Sequence, residues 1–329
     1  MTLSIFIGYV SMLVYFGALG YAAWHVGSRT FAPYLQVLRR LSGAVRAEKV
    51  AFLVATLLIA TGLVAAVSTW FYVIKFFVWT FNTQAGGNWH DWVANSDLFI
   101  QAYRLVSETP EQWFWSSQLL LFTCGYVSIL KSAFGREALW WALLGFLGAI
   151  SVSLAFFVAY LICQTQLPVD EEEEDDDENP WVNPLLRVES LSMGVIPIVT
   201  IALAVASIVL VPWLDVNSVA YAANLLALHL LLVVALLPTP SILADRTIAL
   251  WTWLKILAGA IFLCVTDEVA RMIVSNPSKN ALDLLQRMLR AVTLNECQTS
   301  ITLDLGFVFV ASLLTGVWLM TREPLDEMR

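Results

Sequence analysis

Apolar residues run in long blocks along this chain, and charged residues gather in the gaps between them. A helix needs roughly 20 apolar residues to cross a ~30 Å hydrocarbon layer. Eight blocks reach that length: Leu3–Trp24, Val50–Phe81, Trp113–Ser132, Ala138–Ile162, Leu191–Leu214, Val219–Leu237, Ile248–Val265 and Ile301–Met320. The pattern predicts an all-α fold, a polytopic membrane helix bundle of about eight transmembrane helices forming one domain over residues 1–329. The second block is too long for one vertical crossing. Its uncharged part, Val50 to Ile74, already extends about 37 Å at 1.5 Å per residue, so it must tilt or run out past the lipid. Only Asp215, Val216, Asn217 and Ser218 separate the fifth and sixth blocks, which predicts a tight antiparallel pair with Pro212 at its approach. No basic residue precedes the first block, and its apolar run exceeds a signal-peptide core, so it reads as an uncleaved anchor.

Two gaps carry a helical period of their own. Over residues 97–108, Leu98, Phe99, Ala102, Tyr103 and Val106 share one face, with Gln101, Arg104, Ser107 and Glu108 on the other. Thr109-Pro110-Glu111-Gln112 then reads as a fresh helix start: Thr109 caps, Pro110 takes the first helical position and Gln112 completes a capping box. After Ser278, a candidate cap, Leu282, Leu285, Met288, Leu289 and Val292 face one way while Lys279, Arg287 and Arg290 lie among the polar positions. Both segments are expected to be short amphipathic helices, resting in the interface or packed under the bundle.

Charge settles the expected threading. With eight crossings, one side collects eleven basic residues: Arg29, Arg39, Arg40, Arg46, Lys49, Lys131, Arg136, Arg271, Lys279, Arg287 and Arg290. The other collects five: Arg104, Arg187, Arg246, Arg322 and Arg329. Cytoplasmic loops carry the Lys and Arg excess. That expectation puts both termini and the acidic segment on the non-cytoplasmic side. The acidic segment is residues 163–190, a linker between the fourth and fifth spans whose core, Asp170 to Glu178, is nine consecutive acids. Like charges with nothing apolar to bury predict an extended, disordered loop. The net charge of −8 belongs to this loop, because the rest of the chain is close to neutral. A hydrophobic fraction of 59% and a mean hydropathy of +0.74 exclude an ordinary soluble domain.

Recognisable chemistry is scarce. The four cysteines lack ligand spacing, and no phosphate loop, paired-histidine motif or nucleophile elbow is present. No metal or other cofactor is expected, and no nucleic-acid partner. The informative residues are polar groups inside apolar blocks, where they are expensive and usually face the interior. His229 and Lys255 fall at similar depths on antiparallel spans, about 11–12 Å from one face. With Gln118 and Lys75 they form the candidate ligand-binding cluster. At the opposite face, Asp267 and Arg271 are an i,i+4 pair, and Asp304 lies one turn into the last span. A structural bridge from Asp304 to Arg271 is expected there, and Asp267, Glu268 and Asp304 are the candidate catalytic acids. Three functions follow. The first is a binder or carrier of a lipid-like or small amphipathic molecule. The second is a membrane-embedded enzyme on a lipid or isoprenoid, and the third is an assembly protein docking partners through its loops.

Overall fold

The computed structural model describes residues 3–95, 97–135, 137–167, 191–238, 247–275 and 280–326. Almost all of them are helical. In chain order the helices are α1 (Leu3–Arg40), α2 (Arg46–Gln84), α3 (Trp89–Asn95), α4 (Leu98–Leu105), α5 (Pro110–Phe134), α6 (Ala138–Leu147), α7 (Ile150–Gln164), α8 (Val195–Leu210), α9 (Val219–Leu236), α10 (Leu250–Ser275), α11 (Ala281–Ala291) and α12 (Glu296–Asp326). One small antiparallel pair, β1 (Ser192–Gly194) with β2 (Thr247–Ala249), joins the starts of α8 and α10. Six helices, namely α1, α2, α5, α8, α9 and α12, are long and apolar enough to cross a membrane. Large apolar side chains cover the bundle's outer surface, among them Leu13, Val67, Phe262 and Phe309.

The first two helices outrun their apolar blocks. α1 continues past Trp24 to Arg40, through Pro33, so most of the expected 25–49 loop is helix. Its 38 residues extend about 57 Å. By contrast α5 starts where its capping box requires. Thr109 Oγ1 accepts from the Gln112 amide at 3.3 Å, and the Thr109 amide donates to Gln112 Oε1 at 3.1 Å.

The bundle has a near end, where α1 starts, and a far end, where α1 stops. Side-chain pairs fix the direction of each later helix. α5 begins at the near end and finishes at the far end, where Lys131 Nζ donates to the Leu237 carbonyl at 2.8 Å. α10 runs antiparallel to it: Trp253 Nε1 donates to Ser128 Oγ at 2.9 Å, and fifteen residues later Glu268 meets Ser117. α12 runs antiparallel to α2, with Lys75 paired to Glu296 at 3.5 Å and Ser300 Oγ donating to the Thr69 carbonyl at 3.1 Å.

The fourth apolar block departs from expectation. It is not one helix from Ala138 to Ile162 but two, α6 and α7, broken at Gly148–Ala149. They fold back on each other as an antiparallel hairpin. Ser153 Oγ donates to the Trp141 carbonyl at 2.5 Å, and the Trp141 ring packs on Phe157 and Tyr160 at 5.6 and 5.7 Å. The hairpin leaves the far end, where Arg29 pairs with Glu137 at 2.9 Å. Its tip reaches only half-way, to Tyr15, whose hydroxyl donates to the Leu147 carbonyl at 2.6 Å. α7 then returns to the far end beside α1, with Phe31 packed on Phe156 at 5.9 Å. Gly148 permits the sharp reversal, because a Cβ there would stand 2.6 Å from the Leu144 carbonyl oxygen.

The hairpin forms the centre of the core. Every residue of α7 from Ile150 to Cys163 is buried, sealed by α1, α2, α5, α6 and α12. This explains why the block reads as apolar on all sides: protein surrounds it completely. The return also changes the parity of everything downstream. Because the fourth block does not traverse the bundle, α8 starts from the far end, and the α8–α9 turn lies at the near end, where Arg104 Nε donates to the Val216 carbonyl at 3.0 Å. The start of α1 and the end of α12 are therefore at opposite ends of the bundle, not at the same end. The acidic run, Asp170 to Glu178, lies outside the described residues.

The two amphipathic helices form as α4 and α11 but face differently. α4 turns Leu98, Ala102 and Tyr103 toward the bundle beside buried Val106, with Tyr103 5.4 Å from the His229 ring, while Phe99 is half-exposed against the same ring at 5.2 Å. α11 is capped by Asn280, whose Oδ1 accepts from the Asp283 amide at 2.9 Å, while Ser278 lies outside the described residues. It ties its polar side to the bundle through Arg287–Glu111 at 2.5 Å and leaves Leu282, Leu285 and Leu289 exposed.

Candidate functional site

A cavity of about 180 Å³ lies at the hairpin tip. Its floor is Gly145, Phe146, Gly148, Ala149 and Ile150, and its walls come from α5 (Ser116, Leu119, Leu120, Thr123), α9 (His229, Leu232), α12 (Ser300, Ile301, Asp304), Thr69 of α2 and Tyr103 of α4. It has room for a few waters or the head of a small molecule, and is smaller than the roughly 300–1,000 Å³ typical of drug-sized pockets.

Asp304 anchors one wall. Breaking the α6–α7 block frees the first amides of α7, which have no preceding turn to accept them. The Asp304 carboxylate takes two of them: Ile150 N–H donates to Oδ2 at 3.0 Å and Ser151 N–H to Oδ1 at 2.8 Å. A carboxylate at a helix start also meets the positive end of the helix dipole. The expected Asp304–Arg271 bridge is therefore absent. Asp304 faces α7, near the middle of the bundle, while Arg271 is at the near end. There Arg271 pairs with Asp267 on its own helix and lies 4.2 Å from the Trp213 ring centroid.

His229 forms the opposite wall. Its Nδ1 lies 2.8 Å from the Leu225 carbonyl, which can only accept, so Nδ1 carries the proton and donates. Nε2 then accepts from the Tyr103 hydroxyl at 2.7 Å. Burial, reinforced by the nearby Tyr221 phenol, raises the Tyr103 pKa above its ordinary value and keeps it a donor.

The other three members of the expected ligand cluster do not join His229. Lys255 is exposed on the outer face of α10, its Nζ 5.4 Å from the Trp251 ring, because Trp253 and Leu257 take the inward face. Lys75 pairs with Glu296 near the end of α2. Gln118 Nε2 donates to Glu268 Oε2 at 3.1 Å, beside Ser117 Oγ at 2.9 Å. Equal depth did not produce contact, because the faces differ. Of the candidate acids, Glu268 is buried but serves this separate cluster, Asp267 is half-exposed and paired, and only Asp304 lines the cavity.

Sequence reasoning missed Tyr103 as a site residue, and with it Thr69, Ser116, Thr123 and Ser300. A hydroxyl in an apolar helix carries little signal, because it can bond a carbonyl of its own helix, as Thr123 does with Leu119 at 2.7 Å. Tyr103 was visible only as part of an amphipathic face. In comparisons with known proteins, no family model, curated protein or solved structure matches the chain.

Proposed function

We propose that the chain is a multi-pass membrane protein with seven crossings (α1, α2, α5, α8, α9, α10 and α12) and one re-entrant hairpin, and that it binds or carries a small amphipathic molecule in the cavity at the hairpin tip. One observation carries this reading: interrupted backbone in the middle of the bundle opens onto a partly polar cavity. At membrane depth, non-helical backbone is tolerated where protein buries it or where it lines a cavity. The apolar outer surface supports a lipid surround, and the outward Leu282, Leu285 and Leu289 suit α11 to the interface. The enzyme reading has weaker support, because Asp267, Glu268 and Asp304 are each engaged with protein donors. An assembly role has no observation of its own.

The hairpin also revises the threading. Counted by connection on this threading, Arg187, Arg246, Arg322 and Arg329 are assigned to the basic side and Arg271, Lys279, Arg287 and Arg290 to the other, so the balance stays eleven to five. The far end is then cytoplasmic. On this reading the start of α1 lies outside and the segment between α7 and α8 and the end of α12 lie inside, where the sequence puts both termini and the acidic segment outside. Epitope tags at the two ends, scored by protease access in sealed vesicles, should give opposite results; equal protection overturns the seven-crossing threading.

The cavity is tested by native mass spectrometry of the purified full chain. Wild type should retain a small bound molecule that Thr123→Phe, which fills the cavity, loses. An identical complement in both overturns the reading.

A further inference from the structure

The cavity's hydrogen-bonding character is one-sided. The hydroxyls of Thr69, Ser116, Thr123 and Ser300 all spend their protons on backbone carbonyls, at 2.7, 3.1, 2.7 and 3.1 Å. Tyr103 spends its proton on His229, and His229 spends the proton on Nδ1 on Leu225. What each hydroxyl leaves facing the cavity is an oxygen lone pair. At the floor the end of α6 meets the start of α7. The Leu144 carbonyl accepts from both the Gly148 and Ala149 amides, and the next two amides go to Asp304. The Gly145 and Phe146 carbonyls, in the last turn of α6, thus have no helical amide to accept. The end of α6 carries the negative pole of its helix dipole. Asp304 adds a carboxylate whose two oxygens have room for donors beyond the two amides and the buried Ser151 hydroxyl beside it. Among the described residues, no Lys, Arg or His forms an ion pair with it.

Resting on the cavity reading above, the geometry points to the class of guest: a protonated primary amine, the cationic head of a small amphipathic molecule, bound with its N–H donors on Asp304 and the surrounding lone pairs. An ammonium supplies the donors that the lining hydroxyls lack and a full positive charge, where the start of α7 offers Asp304 two amides and a partial one; a buried carboxylate without a cation is costly. The remaining lining, Leu119, Leu120, Phe146, Leu232 and Ile301, takes a short apolar stem. An anion would meet only acceptors there and is excluded on the same ground.

The test is calorimetric titration of the full chain in nanodiscs with n-butylammonium, butyltrimethylammonium, n-butanol, n-butyrate and sodium. Butylammonium should bind at least about tenfold more tightly than its trimethylated analogue, which keeps the charge and loses every N–H donor. Hexadecylammonium delivered in the lipid, compared with aqueous butylammonium, separates a membrane-borne source from a free one. Asp304→Asn keeps one acceptor oxygen for the two amides; it should lower the melting temperature and weaken butylammonium by a similar factor. Should Asp304→Asn fail to fold, Thr123→Val with Ser300→Ala removes two hydroxyl acceptors without touching the cap and should weaken binding severalfold. Equal affinity for the two ammonium ions, full affinity in these variants, or displacement of butylammonium by millimolar sodium overturns the proposal. Binding of butanol or butyrate in preference to the amine overturns the cation reading and leaves the cavity reading standing. Silence from every probe, with no molecule lost on filling the cavity, removes both.

Discussion

Asp304 and Glu268 are both buried acids at 7% exposure, and each accepts two hydrogen bonds, yet they do different work. Glu268 takes its donors from side chains, Ser117 and Gln118, within the turn that the Asp267–Arg271 pair spans at the near end. Those donors have other options: Ser117 Oγ also reaches the Phe114 carbonyl at 2.9 Å. Asp304 takes its donors from the backbone of a helix that starts in mid-bundle, and those amides have nowhere else to turn. Burial is thus equal while dependence is not. A carboxylate that side chains solvate joins two helices; one that backbone amides require defines where a helix begins.

This contrast can be broken most severely at Asp304→Ala. Two buried amides lose their acceptor, and we expect a loss of about 3 kcal/mol or more, read as a collapse in the yield of folded protein or a large drop in melting temperature. Gly148→Val attacks the same hairpin from its turn. The added atoms meet the Leu144 carbonyl, and the expected cost is about 1–3 kcal/mol by thermal unfolding. Glu268→Gln sharpens the comparison from the other side. The amide can still accept from Ser117, so stability should fall by no more than about 1 kcal/mol and cavity binding should stay unchanged; a loss as large as that of Asp304→Ala would erase the distinction. Smallest of all, Lys255→Met should move the melting point within the ~0.5 kcal/mol scatter of surface substitutions and leave ligand retention intact.

Sequence made the helices legible and the hairpin illegible, for one physical reason. Apolar composition reports that a segment avoids water, and α7, buried from Ile150 to Cys163, avoids water while running only half-way along the bundle. The break needed Gly145 and Gly148 to be read as close-packing positions, where a Cβ would meet Ile150 at 2.8 Å and the Leu144 carbonyl at 2.6 Å, and a lone glycine in an apolar run does not announce this. Missing it reversed the direction of every later helix. The local signals that carry their own hydrogen bonds were readable: the Thr109–Gln112 box starts α5 as written. At the site, costly groups were visible as costly, so His229 and Asp304 stood out, but which face each presents depends on helix rotation. That is why His229 and Lys255, matched in depth, point to different surroundings.

Tying α7 to Asp304 joins residues 154 positions apart in the chain. At about 5–20 residues per second of synthesis, the ribosome needs roughly 8–30 s after making the hairpin to produce its cap. Throughout that interval the first amides of α7 lack the acceptor they have in the folded protein, so the start of that helix is completed by a residue made long after it.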